Sequence, residues 1–279
     1  MTPHHLTHRR TVLFSLAALA MAPTRVLAQP QPFDHSHSAW TALLKKHVVV
    51  LGGGKASQLR YAGMATDRAA LKAYTDTLSA VPKAAFDGWT PPQQMAFLIN
   101  AYNAFTVELI LTRYPKLESI KDLGSLLSSP WKPKFIALLG GKVSLDDIEH
   151  EMLRARGRYD DPRVHFAVNC ASIGCPALRE EAFVAERLDA QLDEQALRFM
   201  SDRSRNRFNA QSGRLEVSKI FDWFGEDFRL GHKGISSLNA FLARYAVQLA
   251  DAPADRDAVR GQKLAVTFLD YDWKLNGAA

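Results

Sequence analysis

Both cysteines of this 279-residue chain lie in one short segment, five positions apart. They follow residues 163–169, in which apolar and polar residues alternate with a period of two. That alternation predicts a strand. Gly174 and Pro176 flank the second cysteine, so we expect the strand to end in a loop that turns where the sulfur atoms lie. The segment predicts a strand-to-loop junction with Cys170 and Cys175 at its exit, and we expect the chemistry of the protein there.

Residues 1–28 have the pattern of an export signal, with a basic start, an apolar run and a small-residue cleavage site. The apolar run is shorter than the about 20 residues that a membrane-spanning helix needs, so we predict no stable membrane span. Arg9 and Arg10 fit a twin-arginine signal, and the general secretory route fits as well. We therefore expect an exported, periplasmic protein whose mature part, residues 29–279, forms a single domain.

The charge of the predicted mature chain excludes one class of partner. Removal of residues 1–28 takes away three arginines and leaves 32 Lys and Arg against 29 Asp and Glu, a formal charge of +3. No block of basic residues interleaved with aromatic residues occurs, so we predict no nucleic-acid partner. The glycine triplet at 52–54 lacks the spacing of a nucleotide-binding loop, and we predict no cofactor. The expected partner is a small molecule or peptide of the cell envelope.

The order of the predicted elements indicates the fold class. Strands and helices alternate irregularly along the mature chain, and several are joined by short turns. This arrangement predicts an α+β fold, a single domain with a mixed or antiparallel sheet and several packed helices.

One predicted helix carries two polar residues on a buried side. Thr90 and Gln93, with two prolines between them, have the pattern of a capping box and predict a helix that runs to Tyr114. Asn100 and Asn103 lie three positions apart on one side of this helix. Buried amides need hydrogen-bond partners, so these side chains either hold a neighbouring loop or orient a functional group.

A second predicted helix, after residues 144–147, places a carboxylate against the core. Glu149 falls within the apolar face of this helix, and His150 lies at the edge of that face. A buried carboxylate requires a cationic or hydrogen-bonding partner, or a raised pKa.

Several motifs in a fixed order resemble domain-of-unknown-function family 547. They are NAYNA (100–104), IEH (148–150), HFAVNCAS (165–172), CP (175–176), KIFDWF (219–224) and YDWKLN (271–276). The family includes exported bacterial proteins and plant proteins, and the resemblance implies no established activity. It implies that Glu149, His150 and Cys170 are the commoner combination, because plant members carry other residues at the positions of His165 and Cys175.

Three hypotheses remain open for the cysteine loop. In the first, Cys170 is the nucleophile of a thiol-dependent hydrolase or acyl transferase, with His150 as its base. Glu149 or Asn103, with Asn100 nearby, would orient the imidazole, and the backbone N–H groups of Ala171 and Ser172 would hold an oxyanion.

In the second hypothesis, Cys170 and Cys175 form a disulfide in a non-catalytic binding or accessory module, and His165 is a core residue. In the third, Cys170, Cys175, His165 and His150 bind a metal ion, but their spacing does not match that of structural zinc sites, and we predict no metal. Trp223 and the other aromatic residues near it either line a ligand groove or belong to the core.

Overall fold

Helix α5 is buried on every side and forms the centre of the fold. All residues from Gln94 to Val107 are buried, as expected for a helix that is apolar around its whole circumference. Thr90 caps the helix as predicted: its hydroxyl accepts a bond from the Gln93 N–H, and the Gln93 side chain accepts one from the Thr90 N–H at 3.0 Å. The helix ends at Leu111, three residues before the predicted end.

The computed structural model describes residues 1–2, 32–125 and 128–278. The predicted export signal therefore lies outside the described residues, apart from its first two. The α-helices are α1 (Ser38–His47), α2 (Tyr61–Thr66), α3 (Arg68–Ser79), α4 (Lys83–Asp87), α5 (Pro91–Leu111), α6 (Leu188–Met200), α7 (Ile220–Trp223), α8 (Leu238–Ala243), α9 (Ala246–Leu249) and α10 (Pro253–Arg260). A π-helix spans Asp147–Leu153. The 3₁₀ helices are Gly52–Gly54, Ile120–Leu123, Pro162–Phe166, Ala185–Arg187, Gly225–Arg229 and His232–Gly234.

The strands form three small sheets. They are β1 (Val48–Leu51), β2 (Ala56–Leu59), β3 (Ile136–Leu138), β4 (Gly141–Val143), β5 (Arg207–Asn209), β6 (Arg214–Val217) and β7 (Val266–Phe268). β1 pairs with β2 and β3 with β4 as antiparallel hairpins. In the third sheet β6 is central, antiparallel to β5 and parallel to β7. Small mixed and antiparallel sheets among packed helices confirm the α+β prediction.

Two hydrophobic clusters meet at the segment that leads to the cysteines. The larger cluster includes α5 and takes in Val164 and Val168. The smaller cluster surrounds Phe166 with rings from α6, α7 and α8. The segment is therefore buried on both sides, with Val164, Ala167 and Val168 in the larger cluster and Phe166 in the smaller one.

The prediction of a strand at residues 163–169 is wrong. A 3₁₀ helix spans Pro162–Phe166 instead. Asp161 caps it, because its side chain accepts a bond of 3.0 Å from the Arg163 N–H, and Pro162 occupies the first helical position. Apolar and polar alternation does not distinguish a strand from a short helix when both sides of the segment are buried.

Candidate functional site

The cysteine loop is held in place by a side chain of α5. Asn103 donates a bond of 2.9 Å to the carbonyl of Ala167 and accepts one of 2.8 Å from the N–H of Asn169. Asn169 in turn accepts a bond of 2.9 Å from the N–H of Ala171, which adopts a left-handed conformation with φ 62°. A non-glycine residue with this φ is strained, so the loop around Cys170 depends on these side-chain bonds.

The carboxy-terminal segment runs along the other side of the loop. The N–H groups of Ile173 and Gly174 donate to the carbonyls of Lys274 and Asp272, each at 2.8 Å. Gly174 is required here, because a Cβ at this position would lie 2.9 Å from the ring of Tyr271. This packing brings Tyr271 against the two cysteines.

Cys170 and Cys175 are joined as a disulfide. The hydroxyl of Tyr271 lies 3.2 Å from each of the two sulfur atoms. The backbone N–H of Cys170 donates to the sulfur of Cys175 at 2.9 Å. Cys175 is 4 % exposed, whereas Cys170 is only partly buried. Cys170 is therefore the more exposed of the two cysteine residues.

The disulfide lies in a cleft of about 180 Å³ with a largely aromatic wall. The rings that line it are Tyr102, Trp131, Trp223, Phe224, Tyr271 and Trp273. The polar side chains that line it are Asp146, Glu149, His150 and His165. Trp223 is 42 % exposed, and its ring centroid lies 4.9 Å from that of Tyr271 and 5.5 Å from that of Trp273. Apolar walls with a few convergent polar groups are typical of ligand sites.

A chain of polar contacts crosses one wall of the cleft. His150 Nδ1 lies 2.6 Å from Arg154 Nη1, and both Nε and Nη2 of Arg154 donate to the Asp227 carboxylate. A guanidinium has no lone pair to accept with, so His150 Nδ1 must accept. His150 Nε2 faces Asp146 at 3.5 Å. Neither ring nitrogen of His150 is hydrogen-bonded to a cysteine sulfur.

His165 is held by the same carboxylate. Its Nε2 lies 2.8 Å from Asp227 Oδ2, and its ring stacks on Phe224 with centroids 4.0 Å apart. Burial by itself would raise the pKa of Asp227, but the hydrogen bonds from His165 and Arg154 hold that pKa well below its usual range. An ionised Asp227 only accepts, so His165 Nε2 carries a proton. Its Nδ1 is buried and has no hydrogen-bond partner among the residues that the structure describes.

Glu149 has no counter-ion in the part of the chain that the structure describes. Its side chain is 9 % exposed, and it forms no ion pair with a Lys, Arg or His in the described part of the chain. Its contact is with Tyr102 of α5: burial raises the pKa of Tyr102 well above its usual value, and the Glu149 carboxylate raises it further. The predicted buried carboxylate is thus present, with a neutral hydroxyl beside it.

The residues proposed from sequence fall into two groups. Both cysteines, Glu149, His150, His165 and Trp223 line the cleft together. Asn100, Asn103 and Ser172 do not line it. Asn100 instead donates to the Phe183 carbonyl at 2.7 Å and accepts from the Phe183 N–H at 3.0 Å. Both asparagines therefore hold backbone segments, which is the first of the two roles left open for them.

The oxyanion site expected at Ala171 and Ser172 lacks one of its donors. The N–H of Ala171 is already bonded to the side chain of Asn169. Ser172 is 1 % exposed, and its Oγ is buried without a hydrogen-bond partner. Ala171 therefore has no N–H left to stabilise a developing negative charge.

Arg154 and Asp227 are not singled out as site residues by the sequence patterns, whereas Tyr271 is one of the aromatic residues expected either to line a groove or to belong to the core. Arg154 lies four residues after His150 on the same helix, a spacing at which side chains meet, and that signal was available. Asp227 is distant in sequence from its partners, and only the packing of the 3₁₀ helix Gly225–Arg229 brings it to them. Tyr271 belongs to a noted motif, but its contact with both sulfurs depends on the close approach at Gly174.

The described residues contain no ligand set that would support the metal hypothesis. No group of three or more His, Cys, Asp and Glu side chains is placed there to hold a metal ion. The two cysteine sulfurs are bonded to each other, and His165 and His150 are engaged by Asp227 and Arg154.

The comparisons with known proteins find a match to one family model, over part of the chain. Residues 86–200 match the model of the family described as "Protein of unknown function, DUF547". This match confirms the resemblance that the motifs predict. It covers α5, Glu149, His150 and both cysteines, and it ends before Trp223 and Tyr271. No curated protein and no solved structure matches the chain. Within the described residues, no helix is both long and apolar enough to cross a membrane.

Proposed function

We propose that this protein is an exported binding module whose aromatic cleft takes an amine-bearing small molecule or peptide of the cell envelope. The observation that carries the proposal is the Glu149 carboxylate, which lines a largely apolar cleft and has no counter-ion among the described residues. An ionised carboxylate in such a place costs free energy unless a cation accompanies it. An ammonium or guanidinium group on a ligand would supply that cation.

The aromatic wall supports the same ligand chemistry. Trp223, Tyr271 and Trp273 present neighbouring rings in the cleft that Glu149 also lines. The faces of aromatic rings attract cations, at about 0.5–1 kcal/mol for exposed sites and more where water is excluded. A ligand with an apolar body and a cationic end would therefore contact both features at once.

Matched ligands test this proposal. The oxidised protein is titrated with 4-phenylbutylamine and with 4-phenylbutyrate, which share a body and differ in charge, and tryptophan emission is followed. We expect the amine to bind more tightly by at least about tenfold, because a charged pair in a partly dry cleft is worth a few kcal/mol. Glu149→Gln should abolish the preference, and Glu151→Gln, an exposed change on the same helix, should leave it intact. Equal binding of the two probes would refute the proposal.

A second candidate function, a thiol-dependent acyl transferase or hydrolase, is favoured by the buried Nδ1 of His165. This atom has no hydrogen-bond partner, and His165 lines the same cleft as Cys170. After reduction, the Cys170 thiolate would attack a carbonyl carbon, and the imidazole would hold the proton that the leaving group takes up. In this version His165 and Asp227 replace His150 and Glu149 as the base and its orienting group.

Thiol reactivity separates the two histidines. The reduced protein and its His165→Ala and His150→Ala variants are alkylated with iodoacetamide across a range of pH. If Cys170 is an activated nucleophile, His165→Ala should slow its alkylation by about tenfold, whereas His150→Ala should not. Slow alkylation of the unmodified protein, with no dependence on His165, would remove the catalytic candidate and leave the binding module.

A further inference from the structure

The two cysteines of the disulfide differ in exposure. Both line the cleft, but Cys170 is partly exposed, whereas Cys175 is 4 % exposed. An attacking thiolate must reach the sulfur with which it bonds. A thiol that enters the cleft therefore meets Cys170, and Cys175 is the sulfur that leaves.

The surroundings of Cys175 suit a leaving thiolate. The Cys170 N–H already points at the Cys175 sulfur at 2.9 Å, and the Tyr271 hydroxyl reaches it at 3.2 Å. Burial raises the pKa of Tyr271, so this hydroxyl keeps its proton and remains a donor. The guanidinium of Arg205 donates to the Cys175 carbonyl and adds a positive charge nearby. Hydrogen bonds and positive charge stabilise a thiolate and speed its departure.

We propose that Cys170–Cys175 is a redox-active bond that oxidises the thiols of a reduced cysteine-containing substrate, with Cys170 as the attacked sulfur and Cys175 as the leaving thiolate. This activity uses the same cleft but does not require the amine-bearing ligand proposed above. Two carboxylates that line the cleft, Glu149 and Asp146, oppose an incoming thiolate, and Asp146 faces His150. The substrate class is accordingly a peptide whose cysteine adjoins an apolar or aromatic side chain, which Trp223 would contact.

The exchange balances in two steps. In the first, the substrate thiolate forms a bond to the Cys170 sulfur, the Cys170–Cys175 bond breaks, and its electron pair stays on Cys175 as a thiolate. In the second, another thiolate of the substrate attacks the substrate sulfur of the mixed disulfide and releases the Cys170 thiolate. The substrate leaves with a disulfide and the protein keeps two electrons, and its two thiolates take up the protons that the substrate thiols lost. A further disulfide-bearing partner restores the bond by the reverse exchange.

Trapping of the first intermediate tests the proposal on the unmodified protein. The native, oxidised chain is mixed with reduced glutathione without denaturant, quenched with N-ethylmaleimide, digested and mapped by mass spectrometry. We expect glutathione on Cys170 and maleimide on Cys175. Glutathione chiefly on Cys175, or a disulfide that glutathione opens only after denaturation, would overturn the proposal.

Two tyrosine variants test the role of the leaving group. Tyr271→Phe removes the hydroxyl that faces both sulfurs, and Tyr245→Phe makes the same change in the smaller hydrophobic cluster. We expect Tyr271→Phe to slow the reaction with glutathione by about tenfold and to move the titration of the Cys175 thiol to higher pH. Tyr245→Phe should change neither the rate nor the titration. An unchanged rate in Tyr271→Phe would contradict the assigned leaving group.

The amine titration uses the oxidised protein without glutathione. The binding proposal and the redox proposal can therefore fail independently.

Discussion

Asp227 is the residue on which the polar side of the cleft depends. It accepts hydrogen bonds from both Arg154 and His165, and its side chain is 13 % exposed. Without it, Arg154 would lose the one carboxylate that it contacts among the described residues, and His165 would lose its orienting group. A buried charge that loses its partner is among the costlier single changes in a protein.

Replacement of Asp227 by asparagine should change both stability and its dependence on pH. The pKa of Asp227 is lowered in the folded state, so the unfolded chain takes up this proton at higher pH than the folded chain does. Its contribution to stability is thus fully present above about pH 4, the ordinary carboxyl range, and is lost as the pH falls further. We expect Asp227→Asn to lose about 2 kcal/mol at pH 7 and to show a flatter decline in acid.

Urea unfolding at several pH values between 7 and 2 measures this effect. Asp222→Asn, an exposed carboxylate of α7, is the matched control and should follow the unmodified protein throughout. Parallel acid profiles for Asp227→Asn and the unmodified protein would contradict the assigned role of Asp227.

Asn103 is the second residue whose loss should be large. Asn103→Ala would leave the Ala167 carbonyl and the Asn169 N–H buried without partners, and it would also leave a small cavity next to the cysteine loop. We expect a loss of about 2 kcal/mol in unfolding free energy by urea titration. Gln211→Ala, at an exposed hairpin position, should change it by less than about 0.5 kcal/mol. Near-equal values for the two variants would mean that the loop is held by other contacts.

The sequence predicts the burial of individual polar residues where that burial follows from the spacing within one helix. A buried carboxylate at 149 and two buried amides at 100 and 103 follow from helical spacing alone. Their partners, Tyr102, Phe183 and Ala167, lie on other elements or at positions that spacing does not link to them. The partner of a buried polar group depends on packing between distant segments, and single-sequence patterns do not contain that information.

At the scale of elements, helix α5 is the best-marked part of the chain. Its start is defined by a side chain that bonds backbone groups of its own first turn, so the signal is complete within four residues. The cysteine segment is the opposite case. The 3₁₀ helix Pro162–Phe166 is selected by Asp161 and by two hydrophobic clusters formed elsewhere in the chain. Local alternation predicts a strand there, and tertiary packing overrides it.

The capping box of α5 should contribute measurably to stability. Thr90→Ala removes the hydroxyl that accepts from the Gln93 N–H and should lower the unfolding free energy by about 1 kcal/mol. Thr66→Ala makes the same chemical change at the exposed last position of α2 and should cost no more than a few tenths of a kcal/mol. Thermal and urea unfolding of the two variants provide the comparison. A Thr90→Ala variant as stable as Thr66→Ala would show that the cap is dispensable.

At the scale of the whole molecule, the cleft is assembled from segments that span more than a hundred residues. Glu149 and His150 come from the π-helix, the cysteines from the loop after the 3₁₀ helix, and Tyr271 from the carboxy-terminal segment. The disulfide joins two cysteines that are only five positions apart in the sequence. A short loop restricts the unfolded chain modestly, so the disulfide supplies only a small part of the stability of such a fold.

Reduction should therefore leave the protein folded. We expect the loss of the disulfide to lower the unfolding free energy by about 2 kcal/mol, measured by urea titration with and without a phosphine reductant. The Cys170→Ser/Cys175→Ser double variant, titrated without reductant, should show a similar loss. Unfolding of the reduced protein in buffer alone would contradict this expectation and would make the disulfide a structural necessity.

Iodoacetamide treatment of the native chain, followed by mass mapping, is the most direct test of an accessible disulfide in a preformed cleft. Without reductant we predict no adduct on either cysteine. After phosphine reduction in the absence of denaturant we predict adducts that form first on Cys170 and later on Cys175. An adduct before reduction would show free thiols, and the lack of any adduct after reduction would show a sealed sulfur pair. Either result would contradict the account of this site.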